Sequence, residues 1–216
     1  MTVTILARAV LLDMDGTIVD STAVVERLWL EWAAPHGLEP DRVLSVVHGR
    51  QGHQSMAILL PERDHDVNIA ENAQMLARET GDVDGVVPVP GASAVLASLE
   101  GLPHAIVTSA DVALMTARMD AAGLPLPEVL ITAESVSASK PDPEGFLAGA
   151  EALGIAPGDC LVFEDSEAGI QAGLAAGMRV IGVGPHAAAH HPTFVVPDLT
   201  HVRVAADADG LTVTID

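Results

Sequence analysis

Two carboxylates stand two residues apart in Asp13-Met14-Asp15-Gly16-Thr17, directly after an apolar run. Held close together they repel one another unless a cation lies between them, so oxygen ligands here predict a divalent metal. Gly16 permits the turn that would aim both the same way. A bare D-x-D-G also fits an Asx-type turn with solvated acids, and the four residues alone leave both readings open. Three other places carry chemistry. Thr108-Ser109 precede a helical pattern, where hydroxyls either cap the helix or, with its N-terminal N–H groups, hold an anion. Lys140, the only lysine in the chain, lies in Ser139–Phe146 (SKPDPEGF), and Glu164-Asp165-Ser166 form a second acidic pair ahead of another helical pattern. Acids for a cation, with hydroxyl, backbone and ammonium donors for an anion, are what a metal and a phosphate held together require.

The elements that must position these groups alternate. Short apolar runs at 7–12, 105–107, 129–131, 161–163 and 180–183 read as buried parallel strands. Ala-rich helical patterns at 92–99, 111–122, 143–153 and 167–176 lie between them, and glycines follow at Gly101, Gly123, Gly154 and Gly177. The alternation predicts an α/β fold with a parallel sheet covered on both faces, and all four chemical segments follow strand ends, where such sheets bind ligands. Between residues 21 and 85 the alternation fails. That stretch holds helical patterns at 24–34, 42–47, 53–60 and 67–79, and VVPVPG at Val86–Gly91 reads as a stiff return linker. The expected organisation is a core of residues 1–20 and 86–216 with a helical insertion at 21–85.

Composition narrows the partners. The chain has 216 residues and a formal net charge of −20, which disfavours nucleic acid and anionic membranes as partners. A single cysteine, Cys160, cannot form an internal disulfide and points to a reducing, cytoplasmic setting. The start, MTVTILARAVLL, reads as a buried strand rather than a secretory leader. A monomer or weak homo-oligomer is expected.

With the four segments in place, the chain resembles the haloacid dehalogenase-like phosphohydrolases. DMDGTIVDS (Asp13–Ser21), VTSA (Val107–Ala110), SKPDPEGF (Ser139–Phe146) and VFEDSEAGIQAGLAAGM (Val162–Met178) are similar to their four motifs in order and spacing. The resemblance implies a Rossmann-like core carrying an α-helical cap at 21–85, and Mg²⁺ as cofactor. It implies Asp13 as nucleophile and Asp15 as general acid and then base. Gly16, Thr108, Ser109 and Lys140 would hold the phosphoryl group. Asp13, the backbone carbonyl of Asp15, Asp165 and, in support, Glu164 would hold the metal. The second acid, Asp15, separates the chain from the dehalogenases, which lack it.

The loop His48-Gly49-Arg50-Gln51-Gly52-His53 resembles the H-G-x cap loop of small-polyol and sugar phosphatases, which makes His48, Gly49, Arg50 and His53 candidate substrate contacts. The implied activity is hydrolysis of small phosphorylated sugars or polyols. A β-phosphoglucomutase-like isomerase and a phosphoglycolate phosphatase-like hydrolase are the alternatives. Trp29 and Trp32 read as packing residues, Cys160 as a small core residue, and His186, His190 and His191 as a loop cluster rather than metal ligands.

Overall fold

The structure is a computed structural model that describes residues 2–207 and 210–216. In chain order it runs β1 (Val3–Ala7), β2 (Ala9–Leu12), β3 (Val19–Asp20), α1 (Thr22–Ala33), α2 (Pro40–Leu44), α3 (Gly52–Leu59), α4 (His65–Gly81), β4 (Val87–Pro88), α5 (Ala92–Ser98), β5 (His104–Val107), α6 (Val112–Ala121) and β6 (Val129–Ile131). It continues through α7 (Glu144–Leu153), β7 (Cys160–Glu164), α8 (Glu167–Ala175), β8 (Arg179–Val183), β9 (Phe194–Val196), β10 (Val202–Asp207) and β11 (Gly210–Ile215). Six strands form a parallel sheet in the order β6-β5-β2-β7-β8-β9. This is the expected Rossmann-like α/β core, with β2 at its centre.

The sheet is covered on both faces because its strands are apolar on both. Within β2 all four residues are buried. Val10 and Leu12 join an apolar cluster with Leu96 of α5 and Leu114 and Met115 of α6, while Ala9 and Leu11 join another with Phe146 of α7 and Ile170 of α8. Period-two alternation in one strand thus serves two helical layers. Helix starts are fixed locally: Asp111 accepts from the Leu114 N–H at the head of α6, and Ser166 accepts from the Gly169 N–H at the head of α8. Gly154, left-handed, ends α7.

Three parts depart from the sequence reading. The apolar start is two strands, not one: exposed Arg8 separates them, and β1 leaves to pair antiparallel with β11 and β10 in a second, three-stranded sheet. Strand β9 extends the main sheet beyond the expected five. The Val86–Gly91 segment is more than a linker, since Val87 and Pro88 pair with Asp20 and Val19 to form a two-stranded flap where the chain enters and leaves α1–α4. Helices α1 to α4 follow one another between β3 and β4 without a strand. Among the described residues no helix is long and apolar enough to cross a membrane.

Candidate active site

The chain leaves the centre of the sheet into a tight loop. The Asp13 N–H donates to the Phe163 carbonyl at 3.0 Å, and the N–H groups of Ile18 and Val19 both donate to the Met14 carbonyl at 2.9 Å. Met14, Ile18 and Val19 are fully buried and anchor the loop from below. Gly16 has φ +81°, and a Cβ there would fall 2.0 Å from Asp165 Oδ2, so the position tolerates no side chain. Sequence at 16 therefore decides how closely β2 and β7 can bring their acids together.

Asp13, Glu164 and Asp165 each place one carboxylate oxygen within 4.8 Å of the others. Lys140, from the loop after β6, sits among them. Its Nζ donates to Asp13 Oδ1 at 2.5 Å, Glu164 Oε1 at 2.8 Å and the Val107 carbonyl at 3.1 Å. Those three bonds use every ammonium proton. The other oxygen of Glu164 accepts from the Ser166 N–H at 2.7 Å and Ser166 Oγ at 2.9 Å, which completes its partners. Glu164 thus acts as counter-ion to Lys140, while Asp165 accepts a long 3.4 Å bond from Thr17 Oγ1.

Electrostatics follow from three acids facing one base. Burial pushes the Asp13 carboxyl up to about 7 against the pull of Lys140, and Glu164 adds to the rise. Burial also raises Asp165 well above the usual carboxylate range, reinforced by Glu164 and Asp13. Burial works against the Lys140 ammonium, but Asp13 and Glu164 outweigh it and raise its pKa. A cluster of three carboxylates and one ammonium lacks positive charge, and its oxygen donors suit a hard divalent cation. The residues present fit a metal.

Above the cluster lies a cavity whose wall includes Asp13, Asp15, Gly16, Thr108, Ser109 and Asp165 from the sheet end. Its roof comes from Trp29 of α1, Asn72 and Glu79 of α4, and His48, Gly49 and Arg50 of the loop between α2 and α3. The 48–51 loop rests directly on the core. Ser109 Oγ donates to the Gly49 carbonyl at 3.0 Å, and the Gln51 N–H donates to Ser139 Oγ at 3.1 Å. Gly49, at φ +77°, passes so near Ser166 that a Cβ would overlap its hydroxyl. Thr108 Oγ1 accepts from the Ala110 N–H, but the cap of α6 is Asp111, which leaves both hydroxyls at the cavity rather than in a helix cap.

The structure does not bring every candidate to the cavity. His53, in the first turn of α3, faces His65 with ring centroids 6.0 Å apart and lies outside the lining. His48 lies 3.7 Å from Glu26, and burial lowers its pKa, so it favours the neutral ring. Lys140 reaches the cluster from beneath and is absent from the cavity wall. Trp29, read as a packing residue, also faces the cavity while stacking edge-on with Trp32. Sequence reasoning missed Arg118, which is buried in α6. Its Nη1 donates to Asp15 Oδ2 at 2.7 Å and its Nη2 to Glu79 Oε2 at 2.8 Å. Ser21 Oγ holds the other oxygen of Asp15 at 2.6 Å. A lone arginine in an amphipathic helix gave no signal of this.

Comparisons with known proteins fit this geometry. The family described as haloacid dehalogenase-like hydrolase matches residues 7–177. Hexitol phosphatase A of Escherichia coli is 45% identical over 175 residues, covering 80% of this chain and 81% of that one. 2-Deoxyglucose-6-phosphate phosphatase 2 of Saccharomyces cerevisiae is 31% identical over 194 residues, covering 80% and 78%. Among solved structures, a β-phosphoglucomutase from Clostridium difficile superposes with a TM-score of 0.80 over 92% of this chain and 94% of that one, at 19% identity, a likeness of fold. The match over most of the chain and the acids it gathers at the sheet end place this protein in the haloacid dehalogenase-like hydrolases.

Proposed function

We propose that the chain hydrolyses phosphate monoesters of small polyols and sugars, hexitol phosphates foremost, in a reducing, cytoplasmic setting. The observation that carries this reading is Asp13 with Asp165 and Lys140 at the end of the central strands, beneath a cavity roofed by residues of α1, α4 and the loop ahead of α3. The similarity to a hexitol phosphatase and a 2-deoxyglucose-6-phosphate phosphatase supports the substrate class. We read residues 21–85 as a cap over a core of 1–20 and 86–216.

In the proposed reaction a carboxylate oxygen of Asp13 bonds to phosphorus as the ester P–O bond breaks. Asp15 gives its proton to the departing alcohol oxygen. Water then attacks phosphorus, Asp15 takes the water's proton, and the acyl phosphate on Asp13 returns to a carboxylate. A covalent intermediate divides one difficult hydrolysis into two displacements, and positioning with charge neutralisation supplies most of the acceleration. Thr108, Ser109 and backbone N–H groups near Gly16 would hold the phosphoryl oxygens. Lys140 would keep Asp13 oriented. Mg²⁺, held by Asp13, Asp165 and the backbone carbonyl of Asp15, with Glu164 in support, would neutralise the gathered negative charge. The cap would exclude bulk water, with Gly49 and Arg50 nearest the substrate.

The test is phosphate release across hexitol, hexose, glycerol and glycolate monophosphates, with products identified. Free phosphate with the matching alcohol, highest for hexitol phosphates and lost in Asp13→Asn, supports the reading. An isomeric sugar phosphate accumulating without free phosphate would establish the mutase alternative.

A further inference from the structure

Arg118 is 3% exposed in the last turn of α6, yet its guanidinium makes no bond to the acid cluster around Asp13. Burying this cation requires charged partners, and it has two from distant parts of the chain. Asp15 follows the central strand, and Glu79 lies in the last turn of α4. An acid in a last turn opposes the helix dipole, and burial raises the Glu79 carboxyl against the pull of Arg118. Glu79 therefore owes its place to Arg118. With Ser21 on one oxygen and Arg118 on the other, the Asp15 carboxylate is held at both ends. A guanidinium is a rigid planar fork able to serve two carboxylates at once, whereas an ammonium imposes no such geometry.

We infer that Arg118 is a positioning residue for Asp15, and that Glu79 fixes Arg118 from α4, so that the proton donor is aimed only when the inserted helices are seated on the core. The inference rests on the proposed role of Asp15. Its consequence lies in one bond. Leaving-group protonation matters where the P–O bond breaks toward a basic alcohol and little where the leaving group is already acidic.

The test compares kcat/KM for phenyl phosphate, whose phenol is about as basic as a tyrosine side chain, with that for p-nitrophenyl phosphate of the same shape. Arg118→Lys and Glu79→Gln should each lower the first at least tenfold more than the second. In a second arm on a hexitol phosphate, which needs no aryl turnover, either change made in an Asp15→Asn background should alter kcat/KM less than twofold. Both variants keep a polar side chain at the site, and thermal unfolding verifies the fold. Equal losses on the two aryl esters, or additive losses in the Asp15→Asn background, would overturn the inference alone. No phosphate release from any ester by the unmodified protein would overturn the phosphatase reading and this inference with it.

Discussion

Replacing Lys140 by methionine removes the one positive charge among three carboxylates and takes the ammonium donor away from Asp13 Oδ1, Glu164 Oε1 and the Val107 carbonyl. Breaking one buried ion pair costs about 3–5 kcal/mol, because the partner stays behind uncompensated. With a urea m-value of roughly 2–3 kcal/mol/M, this lowers the midpoint by about 1–2.5 M at unchanged m. The assay is urea unfolding in EDTA at pH 9, where Asp13, raised to about 7 in the intact protein, is ionised. At pH 6 the deficit should shrink, since an Asp13 that has lost its ammonium takes up a proton in the folded state and not in the unfolded one. Added Mg²⁺ should restore part of the midpoint by binding only the folded cluster. A midpoint within about 0.3 M of the unmodified protein at pH 9, or a deficit that grows on acidification, would show that Lys140 does not neutralise the buried carboxylates.

Metal-free protein should lose stability as pH rises. Asp13 carries a folded pKa of about 7 against 3.8 unfolded, so its contribution is whole below about 4 and gone above about 7; a urea midpoint that climbed between those values in EDTA would contradict it. Burial pushes the Cys160 thiol up to about 11, so iodoacetamide at pH 8 should label it only after unfolding, and rapid native labelling would place the thiol elsewhere. A net charge of −20 should slow capture of an anionic substrate, so kcat/KM should rise as added salt shortens the Debye length from about 30 to about 8 Å, and a fall would point to attractive steering instead.

The acid cluster was legible because its parts are carried by local patterns. The Asp13/Asp15 spacing, the strand ends and the lone lysine can each be read within a few residues, and the parallel sheet brings them together. Arg118 was not legible. Its partners lie 103 and 39 residues away, and its own helix offers an ordinary amphipathic pattern. Trp29 looked like core packing because it is core on one side and cavity wall on the other. The second sheet joins the chain's two ends, with Val3 opposite Ile215. Thr-Val-Thr-Ile occurs at both 2–5 and 212–215, and its period-two alternation was the available signal. At the start, the adjoining fully apolar strand masked it.

In the proposed reaction Asp13 becomes covalently phosphorylated. The direct measurement is rapid acid quench of the protein with a ³²P-labelled hexitol phosphate and Mg²⁺, followed by borohydride reduction and peptide mapping. Label should appear on the protein within one turnover, sensitive to hydroxylamine, with homoserine found at position 13 and no label in Asp13→Asn. Steady phosphate release without protein-bound label, or with label on another residue, would contradict it.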